Sequence, residues 1–489
     1  MALLHRNARI VATLGPSCQD DATLQKMIEA GIDVARLNFS HGTYPEHEAR
    51  IAQVRRLSAQ LGKPITILQD LQGPKMRVGV IPDGPIQLAA GQTVNLTSQP
   101  IQSSRPGPDG AIPIPFDFPE LNESVHAGSR VLLDDGNLEL EVLNVTEERI
   151  EARVLLGGAL SSHKGVNLPG ADIAIPGFTP KDREDLAFGM DHGVDAVAIS
   201  FVRSAKDIEV VREAMRKLKP GQETTPPIIA KLERPEALEN LEAIMHVTDG
   251  VMVARGDLGV EMPPATVPIA QKTIIQSANR HGKIVITATQ MLDSMITNPR
   301  PTRAEASDVA NAIFDGTDAV MLSGETASGS YPVEAVAMMD AIVVEAEQHM
   351  SEWGHAQESL EEPGADDAVS IALAARELAH DRNVAAIAVF TRTGRTALLM
   401  AKARPRVPIL AFTPEETTFQ RLGLYWGVVP FLVPFASTLE SAITIVEEAI
   451  ISSTDVQPGE QVVLISGVPL GFFSQPNFVL LHTVVSSQM

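Results

Sequence analysis

Cysteine is almost absent: Cys18 is the only one in 489 residues. A single thiol excludes an internal disulfide framework and any metal site built from a cysteine cluster. Long apolar runs are missing too. None reaches the roughly 18–20 residues that span a bilayer. The opening residues Met1-Ala2-Leu3-Leu4-His5-Arg6 lack the apolar core of a secretion signal. Positive charge is in deficit, with 39 Lys and Arg against 61 Asp and Glu, a formal charge of −22. That balance argues against nucleic acid and anionic membranes as partners, because both are met by basic surfaces. Together these absences predict a cytoplasmic chain. They also set a condition. Anionic substrates would need a local basic pocket in an acidic body, for which Arg36, Lys75, Arg77, Lys231 and Arg255 are candidates.

What is present begins with periodicity. The hydrophobic fraction of 44% is enough for real cores, and the length suggests roughly two to four domains. Short β-branched, apolar runs begin near Arg9, Asp33, Ile65, Ala196, Ile228, Val251, Ile284 and Ala319, with helical stretches between them. All intervals but one lie near the ~30 residues of a strand-plus-helix unit, the period of a (β/α)8 barrel. Uniformly apolar runs suit a parallel sheet buried on both faces. The long interval, between Ile65 and Ala196, leaves about 100 surplus residues that change character. They alternate apolar with polar, as in Arg130–Leu133 and Leu138–Val142, and a turn-like Asp135-Gly136-Asn137 joins those runs.

The reading is an inserted all-β barrel-type domain over 73–175 within a catalytic barrel of 1–72 and 176–348. Leaving from the C-terminal end of a barrel strand, the insert would lie over the active face as a lid. A polar stretch with Glu361-Glu362-Pro363-Gly364 reads as a linker. In 349–489, runs at Ala385–Phe390, Pro408–Phe412, Val462–Ser466 and Phe478–Val484 predict a smaller α/β open-sheet domain.

Function in such barrels gathers at the C-terminal ends of strands. Two of those ends, Ile229-Ala230-Lys231-Leu232-Glu233 and Met252-Val253-Ala254-Arg255-Gly256-Asp257-Leu258-Gly259, turn from apolar to charged. Alone, Lys231 and Glu233 would be a surface ion pair. With Asp257 they offer one ammonium and two carboxylates. Two carboxylates suit a hard cation such as magnesium, with open positions left for substrate oxygens. A lysine beside it can stabilise a transferring phosphoryl group or an enolate. The other ends supply Arg36, Asn38 and Ser40, then Asp70, Thr289, Ser323 and Glu325. The planar fork of Arg36 suits a phosphate. Gly256-Asp257 opens a segment that could start a short helix, whose N–H groups would receive a carboxylate together with the Thr289 hydroxyl. Taken singly, Thr289 and Ser323 read as structural hydroxyls; the company of the set favours a role for Thr289 alone. At the exit to the insert, Gly73-Pro74 suits a hinge, and Arg77 could reach a nucleotide phosphate on closure. Lys164 stands near the returning hinge, where a solvated loop lysine is the plain alternative. In the last domain Thr391-Arg392-Thr393-Gly394-Arg395-Thr396 follows a strand, and its hydroxyls, glycine and arginines form a phosphate nest, or else an ordinary helix cap.

The segments VARLNFSHG, LQDLQGPKMR, KGVNLPG, IAKLE, MVARGDLGVE, TATQML and AVMLSGETA with YPVEAV resemble pyruvate kinase, in order and across about residues 7 to 466. The resemblance implies a magnesium-dependent phosphotransferase, with manganese as a substitute metal. It would pass the phosphoryl group of phosphoenolpyruvate to ADP, giving pyruvate and ATP in glycolysis. It implies Glu233 and Asp257 as metal ligands and Lys231 as the group that steadies the phosphoryl in flight and the enolate. Arg36 would hold the substrate phosphate, and Thr289 with the Gly256 and Asp257 amides its carboxylate. Asn38, His41, Arg77 and Lys164 would lie around the nucleotide. The family's effector-phosphate loop falls on Thr391, Arg392, Thr393 and Thr396, and its usual assembly is a homotetramer. Lys231 and a water near Thr289 both stay open as proton donor to enolpyruvate.

Three departures stand out. Arg234-Pro235-Glu236-Ala237 replaces the family's Asn and later Gly, downstream of the ligands and so of no expected chemical consequence. The segment Gly467–Gln475 lacks a later glycine of the effector loop, which puts sugar-bisphosphate activation in doubt. Lys75, with Leu71, Gln72 and Val78, stands where potassium-requiring members carry Glu; a fixed ammonium there would supply the charge of the monovalent cation and repel it. Two other readings compete: a lyase cleaving a carbon–carbon bond through a magnesium enolate, and a non-catalytic effector-binding relative. The lyase leaves the hinge and Arg77 without a purpose; the relative is disfavoured because no charged position of the set is missing.

Overall fold

A computed structural model describes residues 6–108, 110–118, 121–134, 136–146, 149–170, 176–221, 224–354, 367–469 and 475–485. Ile175, the expected end of the insert, lies outside them. So do Asp135 of the expected turn, the linker Glu361-Glu362-Pro363-Gly364 and residues 470–474 of the last loop.

Eight parallel strands close a barrel. The first three are β1 Arg9–Thr13, β2 Val34–Asn38 and β3 Thr66–Asp70. The inserted domain then supplies β4 Ile86–Leu88, β5 Thr93–Thr97, β6 Ile112–Pro115, β7 Arg130–Leu133, β8 Leu138–Val145, β9 Ile150–Leu156, β10 Gly158–Leu160 and β11 Val166–Asn167. The barrel resumes with β12 Ala196–Ile199, β13 Ile228–Leu232, β14 Gly250–Ala254, β15 Ile284–Ala288 and β16 Ala319–Leu322, and β16 pairs back onto β1. The expected barrel strands are thus all present, and their apolar runs are buried on both faces, as parallel strands between a packed interior and outer helices must be.

A repeated device fixes the starts of these strands. Asp33, Asp195, Asp249 and Asp318 each stand one residue before a strand (β2, β12, β14 and β16). Each carboxylate accepts the N–H at or near the start of the neighbouring strand: Ile10 at 2.9 Å, Ile67 at 2.7 Å, Ile228 at 2.9 Å and Val285 at 2.8 Å. Each also carries a cation: Arg6 on Asp33, Arg55 on Asp195, Arg212 on Asp249, and Lys402 with Arg404 on Asp318. The ring sits at the N-terminal face of the barrel and leaves the C-terminal face free for chemistry.

The insert curls a six-stranded sheet in the order β11-β7-β8-β9-β5-β6 over its own core. Leu133 pairs with Leu138, and the alternation of Leu138, Leu140 and Val142 does point one face inward. The last domain is an open sheet, with β17 Ala386–Phe390, β18 Ile409–Thr413, β19 Val428–Leu432, β20 Gln461–Ser466 and β21 Phe478–Thr483 in the order β19-β18-β17-β20-β21. The sequence reading omits β19. Its run Val-Val-Pro-Phe-Leu holds Pro430, which belongs only on an edge, and β19 is an edge strand. This domain seals the barrel from below. One continuous core joins Val11, Leu68 and Met252 of the barrel interior to Leu422 and Leu424 beneath it. No helix among the described residues is long and apolar enough to cross a membrane.

Candidate active site

At the C-terminal mouth of the barrel, Lys231 leaves the end of β13 into a nest of acceptors. Its ammonium is 2.8 Å from Glu233 Oε1 and 3.3 Å from Asp70 Oδ1, and it donates to Ser200 Oγ at 2.8 Å. Burial works against that charge, but Asp70 and Glu233 more than offset it and hold the lysine above its ordinary range. Asp70 is shared. Its Oδ2 accepts from Arg36 Nε at 2.7 Å, while Oδ1 receives no hydrogen bond and meets Lys231 only as an ion pair. Burial opposes the Asp70 charge as well; Lys231 and Arg36 outweigh it and keep the carboxyl below its usual range. Arg36 is steadied further by the Thr13 hydroxyl at 2.9 Å. Two cations thus point into the mouth on carboxylates that fix their direction.

Glu233 is in the opposite balance. Burial first, and then the charge of Asp257, push its carboxyl up to about 7, against the pull of Lys231 and the Phe201 N–H. A carboxylate pushed up by burial and by a neighbouring carboxylate is a donor whose charge a hard divalent cation relieves. No cluster of three or more His, Cys, Asp and Glu side chains able to hold a metal occurs among the described residues. A cation on Glu233 and Asp257 would therefore keep most of its shell for substrate and water. The donor set fits the metal.

The corner to which the resemblance assigns the substrate carboxylate lies at the ends of β14 and β15. The helix Arg255–Glu261 follows β14 directly. Its Gly256 N–H donates to Thr289 Oγ1 at 2.7 Å, and that hydroxyl donates to Ala288 O at 2.6 Å. Thr289 stands at φ +67°, a left-handed backbone costly for a β-branched residue. Arg255 holds it there, donating to Thr289 O at 2.7 Å and pairing with Asp308 at 2.5 Å. Arg255 is therefore a brace. Glu325 is also internal, accepting the N–H groups of Leu292 and Ser323. Gly256, Asp257, Thr289 and Ser323 line a cleft of about 850 Å³, and Lys75 from the hinge lines it from the other side.

Around that cleft the structure gathers a basic rim. The His41 imidazole is depressed by burial and then by the charges of Lys75, Arg77 and Arg36. Arg77 also donates to His163 O at 2.8 Å, across the two chain segments that enter and leave the insert. Asn38 ends β2 and accepts the Ser40 N–H. Lys164 is drawn the other way, onto Asp134 at 2.7 Å. In the last domain Thr391 accepts the Gly394 N–H, Arg392 pairs with Glu415 at 3.0 Å, Thr396 is buried, and Thr393 faces a separate cleft.

Sequence reasoning missed Thr13, Ser200 and the Phe201 amide. All three lie at the ends of β1 and β12, so the strand-end rule, extended to those two strands, would have found them. It also set Arg234 aside. Arg234 is buried, stands 3.6 Å from Glu261, and Glu261 accepts from Asn167 of the insert at 2.9 Å. That contact ties barrel to insert.

Comparison with known proteins agrees along nearly the whole chain. A family model described as pyruvate kinase, barrel domain, matches residues 5–336, and one described as pyruvate kinase, alpha/beta domain, matches residues 369–482. The chain is 42% identical over 473 residues to the pyruvate kinase of Agrobacterium vitis, covering 97% of each. It is 44% identical over 489 residues to pyruvate kinase 2 of Synechocystis sp., covering 98% of this chain and 80% of that protein. A crystal structure of a pyruvate kinase from Cryptosporidium parvum aligns with a TM-score of 0.88 at 34% identity, over 98% of this chain and 96% of that one.

Proposed function

The chain belongs to the pyruvate kinase family of phosphotransferases, and we propose that its barrel mouth carries out that reaction in glycolysis with magnesium and without potassium. The observation that carries this reading is the Lys231 ammonium, aimed into the mouth by Glu233, Asp70 and Ser200 and facing the carboxylate of Asp257. Phosphoryl transfer asks for positioning and charge neutralisation more than covalent chemistry.

In this reading Arg36 holds the phosphate of phosphoenolpyruvate, and Thr289 with the Gly256 and Asp257 amides holds its carboxylate. The P–O bond to the enol oxygen breaks as a terminal ADP oxygen bonds to phosphorus. Lys231 faces the charge on the phosphoryl oxygens and then on the enolate. Glu233 and Asp257 would hold a magnesium ion, which would supply Lewis acidity when bound. Enolpyruvate takes its proton at carbon from Lys231 or from a water beside Thr289. Asn38, His41, Arg77 and Lys164 attend the nucleotide; the basic rim of Lys75, Arg77 and Arg36 beside His41 supports this, since a chain of −22 must concentrate positive charge to receive two anions. Thr391, Arg392, Thr393 and Thr396 form the effector-phosphate loop of a cytoplasmic homotetramer.

A coupled assay for pyruvate, run with and without ADP, tests the reaction. Pyruvate should appear only when ADP is present. Its release without ADP would favour a lyase, and none in either case a non-catalytic relative. Potassium is tested separately. Lys75 lines the cleft with Asp257 and Thr289, so activity should be near full in tetramethylammonium buffer at matched ionic strength. Lys75→Glu should lower it and make it respond to potassium. Stimulation of the unaltered enzyme by more than about tenfold, roughly 1.4 kcal/mol of barrier, would remove Lys75 from this role.

A further inference from the structure

Glu233 and Asp257 reach the mouth from different strands. Glu233 follows β13, and Asp257 lies in the first turn of the helix after β14. They are not equally held. Glu233 meets Lys231 at 2.8 Å and accepts the Phe201 N–H at 2.8 Å. No hydrogen bond or ion pair among the described residues holds the Asp257 carboxylate. Its place therefore depends on its helix, Arg255–Glu261.

That helix is fixed at three points. The Gly256 N–H donates to Thr289 Oγ1 at 2.7 Å, and Leu258 is fully buried. The third point is Glu261, at the far end. Glu261 stands four residues after Asp257, so the two share one face of the helix. Both line a small cavity of about 50 Å³ together with Arg234. Glu261 is 7% exposed and Arg234 5%. Arg234 Nη2 stands 3.6 Å from Glu261 Oε1, the one carboxylate in ion-pair range of Arg234 among the described residues. Arg234 Nε has no hydrogen-bond partner there. Arg234 is also the residue directly after Glu233. One buried ion pair thus spans the gap between the two arms. Its cationic end is one residue from Glu233, and its anionic end is one helical turn from Asp257.

We propose that Arg234 is a positioning residue for the metal site: through Glu261 it sets the spacing of Glu233 and Asp257. This rests on the reading of those two carboxylates as metal ligands. Groups that hold the ligands from behind typically change metal affinity about 10–100-fold when removed. Without Arg234, Glu261 would be a buried charge with no cation, which is strongly unfavourable. The end of the helix would shift to bring that charge to water, and Asp257 would shift with it. Asn167 acts differently. Its amide donates to the same Glu261 oxygen from the insert, so it holds the insert to the helix and not the helix to Glu233.

Binding of Mn2+ alone, followed as free Mn2+ by electron paramagnetic resonance, tests the site without turnover. Asp257→Asn marks the site and should weaken the binding. Arg234→Met should weaken it about tenfold or more, and hydrogen exchange across Arg255–Glu261 should quicken. Adding Glu261→Gln to Arg234→Met should bring affinity back to within about threefold of the unaltered protein, because a neutral pair strands no charge. Asn167→Ala should also stay within about threefold. Arg234→Gln is a milder change that should cost about threefold or more; it keeps the test decisive if Arg234→Met does not fold. Mn2+ binding that ignores Asp257→Asn would remove the metal reading, and this inference with it. Binding that needs Asp257 but is unchanged in the Arg234 variants would overturn the inference alone. So would a double variant as weak as Arg234→Met, or an equal loss in Asn167→Ala.

Discussion

Lys231 carries its charge in a setting that burial alone would make unfavourable, because Asp70 and Glu233 stand within 3.3 Å and 2.8 Å of it. A charge fixed in advance toward a transition state is worth about 3–4 kcal/mol, on the order of 100- to 1000-fold in rate. Lys231→Met should lose that much turnover. The fold should stand, since Asp70 keeps Arg36 and Glu233 keeps the Phe201 N–H. Circular dichroism and a coupled assay check both halves; a variant with a third of normal turnover would take Lys231 out of this role. Asp257 makes a different demand. If it is a ligand, Asp257→Asn should raise the magnesium concentration needed for half-maximal activity, and excess metal should restore part of the loss. A defect that ignores metal concentration would count against it.

Elements are held by short polar devices at their ends. The aspartate ring fixes the strand starts, and Arg255 braces the strained Thr289 beyond β15. A buried triplet, Asn167, Glu261 and Arg234, ties the insert to the barrel. Burial raises the Glu261 carboxyl, and Arg234 and Asn167 pull against that. Removing the amide leaves a buried acceptor short of a donor, at a cost of about 1–3 kcal/mol. Asn167→Ala should therefore loosen the insert while sparing the barrel. Hydrogen exchange should quicken about tenfold at the bridge between Arg77 and Gly165, with barrel strands unchanged. Protection equal to the unaltered protein would show that the triplet does not hold the insert down.

The whole molecule depends on the last domain as a floor for the barrel. Leu422 and Leu424 continue the barrel core, and Lys402 and Arg404 reach up to Asp318 at 2.5 Å and 2.7 Å. Removing one partner of a buried charge cluster typically costs about 3–5 kcal/mol, because the remaining charges stay buried and unpaired. Asp318→Ala leaves two such cations and also frees the Val285 N–H. Denaturant unfolding should show a loss of that size. A loss below about 1 kcal/mol would mean that the apolar floor alone carries the junction.

The sequence by itself determined the barrel, the insert and most of the mouth. Strand periodicity is a local signal, and a run such as Ile228–Leu232 is apolar wherever it folds. Function at strand ends follows from that periodicity, so Lys231, Glu233, Asp257 and Thr289 were legible one strand at a time. Tertiary structure decided what no single segment encodes. It assigned Asp70 to both Arg36 and Lys231, turned Arg255 and Glu325 inward as braces, and made Arg234 a link to the insert. It also showed β19, whose Pro430 disguised an edge strand. Above all it set Arg234 against Glu261, so that one ion pair spans the separate strand ends that carry Glu233 and Asp257. A charge's partner is set by distance in space, and that distance exists only once the barrel has closed and the last domain has docked.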